Sequence, residues 1–159
     1  MDLSWATLAD LPELAALEAA SYPADEAASE AVVRARIEQA PRCFLVAREE
    51  GALVGFVNGT RSAERTLSHA TMRSHDPTGV SLCIHSVVVA PERRRGGLGG
   101  RLLAAYLERT RALEGVEQAL LISKEHLLDF YRAAGFELVG PSEVVAGRDP
   151  WFELRRGVL

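Results

Sequence analysis

A chain of 159 residues with 48% hydrophobic and 25% charged side chains has the makings of one soluble folded domain spanning 1–159. The net charge of −4 argues against a nucleic-acid partner, and no apolar run approaches the roughly 20 residues that cross a bilayer, so a membrane partner is not expected. The start, MDLSWATLAD, does not read as a secretion signal, and Cys43 and Cys83 sit in apolar runs as free thiols would, which makes the cytoplasm the expected compartment.

In chain order, residues 3–7 are expected to form a short strand. Asp10 and Glu13 have the spacing of a capping box and open a helix that carries Leu11, Leu14, Leu17 and Glu18 on one face. That helix breaks near Ser21-Tyr22-Pro23, because the residue before a proline leaves the α region. Ser29 caps a second helix running to about Ala40, with Val33 and Ile37 inward. Residues 43–48 and 53–60 read as two strands joined at Glu50-Gly51, a hairpin. Residues 61–79 are polar and irregular; a connection this long is expected to be either a solvated excursion or a substrate loop.

The stretch from Ser81 to Gly100, SLCIHSVVVAPERRRGGLGG, organises the second half of the chain. It begins as a buried β-branched strand with His85 inside it, and Pro91 ends the ladder. Three arginines and a glycine-rich turn lead into a helix starting near Leu98. Helix-start amides have no partner within the helix and, with the helix dipole, make a seat for a phosphate. Arg94, Gly97 and Gly99 fit such a seat, whereas a Walker lysine is absent and the G-x-G-x-x-G dinucleotide fingerprint fails at Leu102. Gly115 is expected to end the helix. A buried parallel strand at 119–123, a short helix at 127–134 and late strands at 136–139 and 151–154 complete the chain.

R-x-x-G-x-G between a strand and a helix resembles the acetyl-CoA motif of the GNAT N-acetyltransferases. The segment Phe130-Tyr131-Arg132-Ala133-Ala134-Gly135-Phe136 is similar to that family's F-Y-x-x-x-G-F segment. Three pieces together resemble the arylalkylamine (serotonin) N-acetyltransferase branch: SHDPTG, IHSVVVAPERRRGGLGGRLLAAYL and DFYRAAGFELVGPSEVVAGRDPWFEL. The resemblance implies an α/β GNAT fold. Its central sheet is mixed and mostly antiparallel, with two splayed parallel strands and about four flanking helices.

The resemblance also implies the chemistry. Acetyl-CoA would be the co-substrate and a small primary amine, an arylalkylamine or similar, the acceptor. Val87, Val88 and Val89 would pair with the pantetheine arm, with an amide near Val87 or Val88 freed by a local bulge. Arg94, Arg95, Gly96, Gly97, Leu98, Gly99 and Gly100 would hold the pyrophosphate. His85 is the expected general base, acting through ordered water, since a neutral imidazole accepts protons near neutral pH. Tyr131 is the expected general acid toward the departing thiolate. Tyr22 and Pro23 would flank the amine with His85 and with Cys83, which stands where the branch has a further histidine. By two-residue alternation Cys83, His85 and Val87 share a face. Met72, Trp151 and Phe152 would add apolar walls; Glu18 or Ser86 would orient water, and Glu18, Asp25 and Glu26 would attract an ammonium group. Tyr106 and His126 read as a packing aromatic and an exposed turn residue. A protein N-terminus, an amino acid, a polyamine or an antibiotic are alternative acceptors. A binding module without turnover is the alternative to an enzyme, and either a monomer or a homodimer is compatible.

Overall fold

The computed structural model describes residues 1–157. Seven strands form one sheet: β1 (Asp2–Trp5), β2 (Phe44–Glu49), β3 (Ala52–Ser62), β4 (Ser81–Val89), β5 (Gln118–Ser123), β6 (Glu137–Pro141) and β7 (Phe152–Gly157). Their order is β1-β2-β3-β4-β5-β7-β6. Only β4 and β5 run parallel, and their pairing stops at Ile84 and Leu121. Helices α1 (Leu11–Ser21) and α2 (Glu30–Gln39) cover one face; α3 (Leu98–Thr110) and α4 (Leu128–Ala133) cover the other. This is the mixed sheet with a splayed parallel pair expected from the sequence, and no described helix is long and apolar enough to cross a membrane.

Local chemistry accounts for most boundaries. Glu50 and Gly51 both have positive φ (50° and 82°), the geometry of a tight hairpin turn whose twist matches its strands. Ser29 Oγ accepts from the Val32 amide at 3.2 Å and starts α2 as expected. The first capping box is displaced: Thr7 N–H donates to Asp10 Oδ2 at 2.9 Å, while Glu13 turns to Arg48 at 3.1 Å. Asp10 therefore closes a short 3₁₀ turn (Leu8–Asp10) ahead of α1, and β1 ends at Trp5. The helix α3 ends at Thr110, before the turn that carries Gly115 at φ 86°. The last strand begins at Phe152 and continues past Leu154 to Gly157, because it pairs with the whole of β5.

Two features shape the centre. The β3–β4 register passes from Asn58↔Ser86 to Gly59↔Ile84, leaving His85 as the extra residue of a bulge. The bulge inverts the side-chain phase. Leu82 and Ile84, before it, and Val87 and Val89, after it, pack on the α3 face. Cys83 lies on the opposite face, as does Val88 beyond the bulge. The expected common face of Cys83, His85 and Val87 is thus broken at Val87. The bulge also sits ahead of the Val87–Val88 position anticipated for it.

The long connection between β3 and β4 is exposed along much of its length but anchored at several points. Leu67 is buried and its amide donates to Glu153 at 3.1 Å. Arg61, also buried, donates to the Gly79 carbonyl at 2.9 Å and the Glu114 carbonyl at 2.6 Å. At Gly79 a side-chain carbon would come within 2.4 Å of the Ser62 backbone, so the loop closes only on glycine there.

Candidate active site

Past Ile84 the β5-facing edge of β4 has no strand partner, and a cleft opens on either side of that gap. One cavity, about 550 Å³, is bordered by Val87, Val88 and Val89, by Arg93, Arg94 and Arg95, and by Gly97, Leu98, Gly99 and Gly100. Gly97 adopts φ 78° immediately before α3, so the helix starts abruptly and aims its first amides at the cavity. The first intrahelical bond there runs from the Arg101 amide to the Gly97 carbonyl at 3.2 Å. The amides of Leu98, Gly99 and Gly100 are left for an anion. Phe130 approaches Gly99 so closely that a side-chain carbon would lie 3.4 Å from its ring.

The arginines divide their work. Arg93 forms an ion pair with Glu49, and Arg94 Nε donates to the Val89 carbonyl at 3.0 Å, fixing the turn to the end of β4. Arg95 holds a left-handed φ of 69°. All the expected coenzyme residues border this cavity except Gly96. Val88 turns its side chain into the α1–α2 core, so only its backbone is offered to the cleft.

The second cavity, about 440 Å³, lies on the α1–α2 side and under the long loop. Tyr22, Pro23, Met72 and Trp151 wall it, with Ile84, Val87, Leu121 and Val144 beneath. Its polar groups include His85, Ser86, Glu18, Glu26, Arg36 and Lys124. The two cavities share Ser21, Tyr22, Val87, His126, Leu127 and Tyr131 as common walls, so they communicate where the parallel strands part.

His85 lies on the bulge, and its Nε2 is 2.8 Å from Thr60 Oγ1. Its Nδ1 is buried and has no hydrogen-bond partner among the described residues. Burial and the Arg36 charge hold the imidazole well below the ordinary histidine range, so it is neutral at pH 7. Ser86 donates to Glu18 Oε1 at 2.9 Å, and the Ala28 amide donates to Glu18 Oε2 at 3.1 Å, which seats a carboxylate only 2% exposed. Burial and the Glu18 charge push the Tyr22 hydroxyl up to about 12. Tyr131 is raised mainly by burial and then by Tyr22, so its phenol keeps its proton. It packs edge-on against Phe130 and Phe136, at centroid distances of 5.0 and 6.0 Å.

Other expected residues fall elsewhere. Cys83 is fully buried against Leu67, Leu120 and Val144 and borders neither cavity. Burial and Glu153 push its thiol up to about 12, leaving it inert as base or nucleophile. Phe152 packs on the α3 face, and Asp25 does not reach the cavity. Tyr106 is a core residue whose hydroxyl donates to the Cys43 carbonyl at 2.9 Å. His126 is exposed as expected, yet it edges both cavities.

Sequence reasoning does not reach two further residues, Arg36 and Lys124. Arg36 precedes inward-facing Ile37 and follows inward-facing Val33 by three positions, a charge at the margin of a buried stripe. Lys124 directly follows β5 at the splay and pairs with Glu26 at 2.8 Å and Asp149 at 3.2 Å.

Comparison with known proteins gives the family and the fold. Residues 11–136 match the model of the acetyltransferase (GNAT) family. Serotonin N-acetyltransferase of Mesocricetus auratus is 33% identical over 107 residues, covering 67% of this chain and 52% of that protein. The chain thus spans about half the length of the curated relatives it matches. Among solved structures, the GphF GNAT-like decarboxylase in complex with isobutyryl-CoA superposes with TM-score 0.84 at 24% identity, over 100% of both chains. The loading GNATL domain of CurA from Lyngbya majuscula reaches the same TM-score, 0.84, at 18% identity, covering 99% of this chain and 97% of that one. At these identities both show a shared fold.

Proposed function

Because the chain belongs to the GNAT acetyltransferase family, we propose that it moves the acetyl group of acetyl-CoA to a small primary amine, an arylalkylamine or a similar compound. The amine attacks the thioester directly, within a single domain. The supporting observation is the junction of two unlike cavities at Tyr131: one edged by free helix-start amides and arginines, the other by a neutral histidine and apolar walls.

The free amides of Leu98, Gly99 and Gly100, with Arg94 and Arg95 beside them, bind the pyrophosphate of coenzyme A. The unpaired edge of β4 at Val87 and Val89 takes the pantetheine amides as an added strand would. Holding both reactants at one junction removes much of the entropic barrier. With Nε2–H donating to Thr60, the Nδ1 lone pair of His85 accepts the proton that the amine sheds, through water oriented by Ser86 and Glu18. Tyr131, which keeps its proton, donates to the departing thiolate.

The test is thiol release from acetyl-CoA across tryptamine, phenethylamine, spermidine and an N-terminal peptide, alongside calorimetry with acetyl-CoA. Amine-dependent release is expected. Binding without release for any acceptor would leave an acetyl-CoA-binding module, and no binding heat at millimolar coenzyme would remove the whole reading.

A further inference from the structure

Four charged groups border the acceptor cavity beneath its rim, and two of them are already spoken for: Lys124 and Glu26 pair at 2.8 Å, with Asp149 adding to Lys124 at 3.2 Å. The other two are not. Glu18 is held only by neutral donors, Ser86 and the Ala28 amide. Among the described residues Arg36 has a single hydrogen bond, from Nη1 to Asn58 Oδ1 at 3.2 Å. Among the described residues, no carboxylate lies within 4.0 Å of Arg36 and no basic group within 4.0 Å of Glu18. Arg73 at the rim is exposed, with its Nε donating to the His69 carbonyl at 3.2 Å.

Arg36 is partly buried, and the carboxylate that acts on it, Glu18, lies beyond ion-pair distance; a charge in that position is costly to keep, since burial is compensated fully only by direct pairing. Burial does depress Arg36, to about 10, even though Glu18 and Tyr22 pull the other way. A planar fork with donors to spare, bordering a cavity, matches the two oxygens of a carboxylate. Glu18 borders the same cavity with the opposite sign. The pair complements a ligand that carries both charges a short distance apart.

We infer that the acceptor is an amine bearing a neighbouring carboxylate, an amino acid with an apolar side chain, whose carboxylate is bound by Arg36 and whose ammonium enters beside Glu18. Met72 and Trp151 line the space left for its side chain. This rests on the acetyl-transfer reading above and narrows its acceptor from amines in general.

The test pairs tryptophan with tryptamine, which differ only in the carboxylate. The wild type is expected to favour tryptophan by about tenfold or more in kcat/KM, and Arg36→Gln to lose about 10- to 100-fold on tryptophan, bringing the ratio near one. Arg36→Lys should restore only part of it, since a point charge lacks the fork. Tryptamine used as well as tryptophan by the wild type, or an equal loss on both acceptors in Arg36→Gln, would overturn the assignment. Release with phenethylamine, spermidine or the peptide but with neither tryptophan nor tryptamine would overturn the assignment and leave acetyl transfer standing; should no acceptor at all release thiol, the acetyl-transfer reading fails, and the Arg36 site is then read by calorimetry with coenzyme A present. Heat from N-acetyltryptophan but not N-acetyltryptamine supports the site; equal heats, or none, refute it. If the variants do not fold, the wild-type preference alone decides.

Discussion

The proposed coenzyme seat and the proposed acceptor cavity share a wall at Tyr131 but are assembled by opposite means. The seat comes mostly from one stretch of chain between residues 87 and 100, closed by Ser21 and Tyr22 on one side and by His126, Leu127, Phe130 and Tyr131 on the other. The acceptor cavity collects side chains from α1, α2, the β3–β4 loop, both splayed strands and the turn before β7. A diphosphate is the same in every use of the coenzyme, so free amides on a helix start suffice to bind it. An acceptor must be told from its neighbours, which needs placed side chains, and those arrive from positions far apart in the chain.

If the two regions are separable, substitutions should sort cleanly between them. The largest effect is expected for His85→Gln: kcat/KM for the amine falls about 10²- to 10⁴-fold while the acetyl-CoA dissociation constant measured by calorimetry stays within about twofold. A parallel loss of coenzyme binding would mean that the regions are not independent. Tyr131 stands on the boundary, so Tyr131→Phe should lower kcat about 10²-fold with little change in KM for either reactant. An altered KM with unchanged kcat would make Tyr131 a wall and nothing more.

Gly97→Ala probes the seat alone. Its left-handed φ of 78° penalises a side chain by about 1–2 kcal/mol, and open space around it means that no clash adds to this. Acetyl-CoA binding should weaken about tenfold, with the ranking of acceptors unchanged in steady-state kinetics.

The smallest effect is a pH dependence of stability. His85 is held below its unfolded value near 6.5, so the unfolded chain takes up the proton first as pH falls. Its contribution is complete above about pH 6.5 and is lost as pH drops toward the folded value, at no more than about 1.4 kcal/mol per pH unit. His75, whose Nδ1 accepts the Arg61 amide at 3.0 Å, is lowered by burial and by Arg61 and acts in the same direction. Urea midpoints at pH 7.5 and 5.5 should therefore drop less in His85→Gln than in the wild type. Equal drops would mean that His85 is not held neutral by the fold.

The strand, basic turn and helix from Ser81 onward were legible in the chain because each boundary has a local cause: proline ending a ladder, glycine opening a helix, apolar spacing along α3. The hairpin at Glu50-Gly51 and the cap at Ser29 were legible for the same reason, and the F-Y-x-x-x-G-F segment through its resemblance to the family. Pairing and burial are non-local, and there the chain could mislead. One extra residue at His85 reverses the side-chain phase of β4, and only the register against β3 reveals it. Cys83 reads as a site residue by position but is sealed under Leu67. Arg36 looked like any surface arginine of α2 until α1 and β4 brought Glu18 and His85 toward it. Short-range sterics and hydrogen bonding thus made the proposed coenzyme seat readable from the amino-acid order itself. The proposed acceptor site came into being only when distant segments closed on one space, since what a partly buried charge can bind depends on which partners folding leaves it without.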